Sequence, residues 1–102
     1  MNIKYQVANK VLHIYLNGEL SEGTAQNTRS SLDNLIDSNN MVSVVFHLNG
    51  LSFMDSTGIG VLIGRYKKLK QRMTDVYVKE PTPQVEKIFR ATGLFDIMPK
   101  IS

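Results

Sequence analysis

The run Leu51-Ser-Phe-Met-Asp-Ser-Thr-Gly-Ile-Gly-Val-Leu-Ile-Gly-Arg65 sets a small hydroxyl beside a carboxylate where an apolar segment gives way to helical spacing. A helix start leaves backbone N–H groups without intrahelical partners and carries the positive end of the macrodipole, so Asp55 and Ser56 lie where negative charge is tolerated. Either residue can serve as the N-cap. A phosphate on Ser56 would place roughly −1.5 to −2 charges beside Asp55 and turn an uncharged binding edge into a repulsive one. Nucleophilic catalysis by Ser56 is the other chemistry that a serine on a strand-to-helix turn suggests. Asp-Ser-Thr-Gly lacks the glycine that precedes the serine of a nucleophile elbow. His13 and His47, the two available imidazole bases, fall inside expected strands and read as structural, so no enzymatic activity is expected.

Gly58, Gly60 and Gly64 require a reason, because each glycine inside a helix costs up to ~1 kcal/mol relative to alanine. Gly60 and Gly64 share a face and would permit close backbone approach, to the sheet beneath in the commoner case or to a partner above. Of Phe53 and Met54, one is expected in the core. Ser21-Glu-Gly-Thr24 is placed to cap a first helix, and if both strand-to-helix loops lie at one sheet edge it shares a surface with Asp55 and Ser56. Acidic residues are scattered and neither histidine has a spaced companion, so no metal site is expected. A glycine-rich phosphate loop is absent, and no cofactor is expected.

The elements that hold this junction follow from periodicity. Ile3, Tyr5 and Val7 alternate with polar residues, Asn9-Lys10 turns, and Leu12, Ile14 and Leu16 alternate again, which predicts a hairpin. Gly18 breaks the pattern, and Ala25, Thr28, Leu32, Leu35 and Ile36 have helical spacing. Val42 to Leu48 is a nearly continuous apolar run of strand length, expected to be buried on both faces. Leu51 to Met54 reads as a connection, and Ile59, Leu62, Ile63, Tyr66, Leu69 and Met73 mark an amphipathic helix. Val76-Tyr-Val78 is a further strand, parallel to the one before the helix. Thr82 as cap, Pro83 at the first helical position and Gly93 past the end delimit a third helix, after which Leu94 to Met98 close the core with a strand or turn. The expectation is a small α/β domain over residues 1–102, a mixed sheet of four or five strands layered with helices.

With 102 residues, 42% hydrophobic and 21% charged, the chain suits one soluble globular core. No apolar run approaches the ~20 residues of a membrane span, and Met1-Asn-Ile-Lys-Tyr5 lacks the apolar region of a secretory signal, so a cytoplasmic protein is expected. Zero cysteines remove disulfides, thiol nucleophiles and thiolate metal sites. Much of the +3 net charge lies in Arg65, Lys67, Lys68, Lys70 and Arg72, which read as a solvated helix face rather than a nucleic-acid patch.

Phe53-Met-Asp-Ser-Thr-Gly-Ile-Gly resembles the STAS family, the anti-sigma factor antagonists of Gram-positive bacteria. The resemblance extends through Asn17-Gly-Glu-Leu20, Val44-Val-Phe-His-Leu48, Gly64-Arg-Tyr-Lys-Lys-Leu-Lys70, Pro83-Gln-Val-Glu-Lys-Ile-Phe89 and Thr92-Gly-Leu-Phe95. The last stretches are more similar to the sporulation members of the sigma-F pathway than to the general-stress members. The resemblance implies a sheet with helices chiefly on one side and a serine, here Ser56, phosphorylated by a partner that is both serine kinase and anti-sigma factor. It also implies that the unphosphorylated form binds this kinase and frees the sigma factor, while a serine phosphatase resets the modified form. The implied contact surface comprises Gly18, Glu19, Ser21, Thr24, Asp55, Ser56, Thr57, Gly58 and Ile59. Ser21 stands where family members often carry aspartate. A chain that is monomeric when free, with no membrane or direct nucleic-acid partner, completes this expectation. The alternative is a STAS module that binds a nucleotide or other anion at the same helix start.

Overall fold

The computed structural model describes residues Met1–Ser102. Strands β1 (Asn2–Ala8) and β2 (Val11–Leu20) form the expected hairpin, paired antiparallel from Asn2↔Asn17 to Ala8↔Val11. Helix α1 (Ala25–Asp37) leads to β3 (Ser43–His47), β4 (Leu51–Met54), α2 (Ser56–Gln71) and β5 (Asp75–Lys79). Helix α3 (Pro83–Thr92), the single turn α4 (Leu94–Ile97) and β6 (Lys100–Ile101) complete the chain. The sheet runs β1-β2-β3-β5-β6, with β4 paired to β2. It holds six strands rather than four or five, the additions being β4 and the two-residue β6.

Two local expectations are corrected. Gly18 does not end its strand: with φ of 121° it carries β2 through a register shift between Gly18 and Glu19, so the strand continues to Leu20. Leu51–Met54 is not a mere connection but pairs parallel with Gly18–Leu20. β2 thus pairs with β3 through Val11–Tyr15 and with β4 further along the same edge.

Alternation along the strands divides the sheet into two unlike faces. Leu12, Ile14 and Leu16 of β2 point to one face with Val44, Phe46, Val76 and Val78, and all are buried in one cluster. Leu32 and Ile36 of α1, Val61, Leu62 and Leu69 of α2, Val85 and Phe89 of α3, and Leu94 of α4 pack into that same cluster. Helices therefore cover one face of the sheet. The opposite face carries Val11, His13 and Tyr15, Val45 and His47, and Tyr77, none of which belongs to the helix-covered core. β3 is buried on both sides, as its apolar run requires.

Helix boundaries follow capping chemistry. Thr82 Oγ1 caps α3 by accepting from the Val85 N–H, Pro83 opens it, and Gly93 ends it at φ 75°. The basic stretch on α2 packs on α1: Arg65 pairs with Asp33 at 3.1 Å, and Lys68 with Asp37 at 2.9 Å. Arg72 donates to the carbonyls of Ile36 and Asn39 at the end of α1. Three of its five cations are thereby committed within the chain, which weakens a nucleic-acid reading. No helix is long and apolar enough to cross a membrane.

Candidate functional site

The parallel β2 and β4 deliver two strand-to-helix turns to one end of the sheet, side by side. Backbone pairing holds them there, since the Asp55 N–H donates to the Leu20 carbonyl at 3.3 Å. Asp55, not Ser56, is the N-cap of α2, with Oδ1 accepting from the Gly58 N–H at 2.9 Å. Its other oxygen, Oδ2, accepts from the Glu22 N–H at 3.0 Å in the neighbouring turn. One carboxylate thus starts the helix and ties the two loops together. These N–H donors, Gly58 first and Glu22 next, hold the Asp55 carboxyl below the usual carboxylate range. A depressed carboxyl contributes its stabilisation above the ordinary carboxylate pKa and loses it as pH falls through the lowered value, so the tie is intact at neutral pH and released in acid.

Ser56 is the first residue of α2 and is exposed, whereas Thr57 is partly buried and Gly58 fully so. Residues of the neighbouring turn lie next to it. Ser21 is half-buried, with its N–H donating to Thr24 Oγ1 at 3.0 Å, while Glu22 is exposed and Glu19 is exposed beside it. Thr24 occupies the N-cap position of α1 but makes no side-chain bond to that helix. Its hydroxyl instead donates to the Glu19 carbonyl at 2.8 Å, which shapes the loop. Ser52 Oγ donates to the Gly18 carbonyl at 3.1 Å, anchoring the other side. Met54 enters the core and Phe53 stays exposed, as expected for a pair divided between core and surface.

The glycines divide by environment. A methyl on Gly58 would overlap the Leu20 carbonyl oxygen and lie 2.9 Å from Met54 Cγ, so this glycine lets the helix start seat against the end of β2. Gly60 and Gly64 face open space, and a methyl added to either would meet nothing within 4 Å. The expectation that they allow packing on the sheet is therefore corrected, and no contact within the domain accounts for their cost to the helix.

No surface cleft is lined by Asp55, Ser56, Thr57 or Gly58. Small-molecule sites are generally concave. The helix-start N–H of Gly58 is already occupied by Asp55, which also disfavours a free anion there.

Asp55→Asn tests the tie. Asparagine keeps an acceptor for the Gly58 N–H but cannot present two accepting oxygens, so faster hydrogen exchange is expected at the Glu22 amide and little change at Gly58. Unchanged exchange at Glu22 would show that the tie does not order the loop.

Mixed-sheet α/β domains that carry an exposed serine at the mouth of a helix, beside a cap shared between two turns, form the class defined by this geometry. The STAS domain model matches residues 2–102, and the chain belongs to that family. It is similar to an anti-sigma F factor antagonist of Paenibacillus polymyxa, 36% identical over 101 residues that cover 97% of this chain and 86% of the relative. An anti-sigma-B factor antagonist of Listeria monocytogenes is 29% identical, covering 96% and 88%. Among solved structures, unphosphorylated SpoIIAA, an anti-sigma factor antagonist, superposes with a TM-score of 0.81 at 25% identity over 99% of this chain and 89% of its own. The phosphorylated form of the Bacillus cell fate determinant SpoIIAA superposes at 0.73, again at 25% identity, covering 99% and 92%.

Proposed function

We propose that this chain is an anti-sigma factor antagonist working as a phosphorylation switch. Its unphosphorylated form binds an anti-sigma factor that is also a serine kinase, which releases the sigma factor. Phosphorylation of Ser56 abolishes that binding, and a serine phosphatase restores it. The contact surface is Gly18, Glu19, Ser21, Thr24, Asp55, Ser56, Thr57, Gly58 and Ile59, and the protein acts in the cytoplasm as a substrate and ligand rather than a catalyst. The observation that carries this reading is the exposed hydroxyl of Ser56 at the first position of α2, immediately beside a cap that organises both loops. Glu19, Glu22 and Asp55 already make the rim acidic, so an added phosphate crowds like charge beside Asp55 that docking must strip of water. The relatives' names and the two forms of SpoIIAA support the same reading.

Incubation with a purified anti-sigma serine kinase and ATP, followed by mass spectrometry, tests the assignment. One phosphate on Ser56 is expected. Modification of Thr57 or Ser52 instead, or no modification by any kinase that binds the chain, would overturn it.

A further inference from the structure

The two outer strands of the sheet are unlike. One is β6, only two residues long and directly after Pro99, whereas β1 has seven residues paired to β2 without a register shift from Asn2 to Ala8. β1 contains no proline and a single charge, Lys4, so the devices that commonly blunt an open edge are nearly absent. The hairpin fixes which backbone groups lie on that edge. Asn9 and Lys10 both have positive φ, as in a two-residue type I′ turn, and such a turn closes on a hydrogen-bonded pair, here Ala8 and Val11. Counting back by twos, Gln6, Lys4 and Asn2 also turn their N–H and C=O groups to β2, which leaves those of Ile3, Tyr5 and Val7 pointing outward. No backbone group of a turn or loop bonds to them. On the helix-covered side of this edge Tyr5 is 56% and Val7 44% exposed, beside a groove between β1 and α1 whose apolar lining is Met1, Ile3, Tyr5 and Leu35.

We propose that this edge joins two copies of the chain, β1 pairing antiparallel with the same strand of a second molecule about a two-fold axis at Tyr5. The strand is complementary to itself in that register. Tyr5 faces the partner's Tyr5 and Ile3 faces the partner's Val7, so exposed apolar side chains cover one another on the helix side. On the opposite side Lys4 falls across from the partner's Gln6, and no like charges meet. The outward N–H and C=O groups belong to the same three residues of each copy, as an isologous contact requires, and they meet as hydrogen-bonded pairs across the axis. Sliding the register by two residues either brings Lys4 against the partner's Lys4 or leaves Ile3 opposite the turn residue Asn9, so the pairing centred on Tyr5 is the favoured one. Ser56 stays free in this dimer. Its rim lies beyond Asn17 at one end of β2, and the two-fold axis points the two rims in opposite directions along the strands. The free chain is then a dimer, where the family resemblance implies a monomer.

Analytical ultracentrifugation of the chain over a dilution series, read together with amide hydrogen exchange, tests the pairing. A mass of twice 11.5 kDa is expected at the concentrated end, giving way to the monomer on dilution. As concentration rises, protection should increase at the Ile3, Tyr5 and Val7 amides, while those of Lys4 and Gln6, already bonded to β2, stay unchanged. Tyr5→Lys sets two cations against each other at the axis and is expected to raise the dimer dissociation constant by on the order of tenfold or more. Tyr5 is exposed, so this variant should fold, and unaltered protection of the Lys4 and Gln6 amides verifies that. The exchange pattern of the parent chain stands as a test without it. A chain that stays monomeric at every concentration, a dimer that leaves the Ile3, Tyr5 and Val7 amides unprotected, or an unchanged dissociation constant in folded Tyr5→Lys would overturn the proposal.

Discussion

Ser56→Asp is expected to weaken binding to the cognate anti-sigma kinase by about two to three powers of ten, equivalent to about 2.7–4 kcal/mol, while Ser56→Ala binds as the parent does. Ser56 is exposed in the free chain, so neither substitution disturbs packing there. The cost arises on docking, when a charge must leave water beside Asp55. The first turn of α2 contains no acidic residue of its own, and an aspartate at that position interacts favourably with the helix dipole by about 0.3–1 kcal/mol. The fold should consequently tolerate the charge that the interface rejects. Calorimetry against the kinase, paired with thermal melting of each variant, separates the two effects. Equal affinities for Asp and Ala would remove the electrostatic basis of the switch.

Gly58→Ala should destabilise the domain by about 1–3 kcal/mol, lowering Tm by roughly 5–15 °C for a domain of this size. Helix propensity alone argues the other way, since alanine is favoured over glycine by up to ~1 kcal/mol. The steric term wins because the obstructing atom is the Leu20 carbonyl oxygen, part of the paired backbone of β2 and β4 and the acceptor for the Asp55 N–H. It cannot swing aside as a side chain would. Gly60→Ala provides the control, because its methyl meets nothing and propensity should then raise Tm. Differential scanning calorimetry on the two variants gives opposite signs if this reasoning holds. A stabilised Gly58→Ala would mean that the end of β2 yields at little cost.

Much of this architecture is legible locally. Thr82-Pro83 and Gly93 bracket α3 because caps and a left-handed stop are properties of a few adjacent residues. The hairpin follows from two alternating runs around Asn9 and Lys10, both of which adopt positive φ. β4 is not legible, because its ends are buried and its two central residues exposed, a pattern without strand alternation. Its partners also lie some thirty residues back, beyond a glycine that locally reads as a stop. The serine–aspartate junction is visible in sequence, yet the choice of Asp55 over Ser56 as cap depends on backbone geometry. The bond from Asp55 to Glu22 depends on two distant turns being brought abreast. The hydrogen bond between His13 Nδ1 and His47 Nε2, at 2.9 Å, is likewise a matter of register between strands, which no spacing in the chain records.

Beyond Asn17, β2 has left its hairpin mate behind, and Gly18–Leu20 is braced in the sheet by β4 alone. Thr82 Oγ1 donates to the Leu51 carbonyl at 3.1 Å and pins this ledge from below. The rim around Ser56 is thus carried on a short projecting ledge whose backbone is fixed by β4 and α3 rather than by the hairpin.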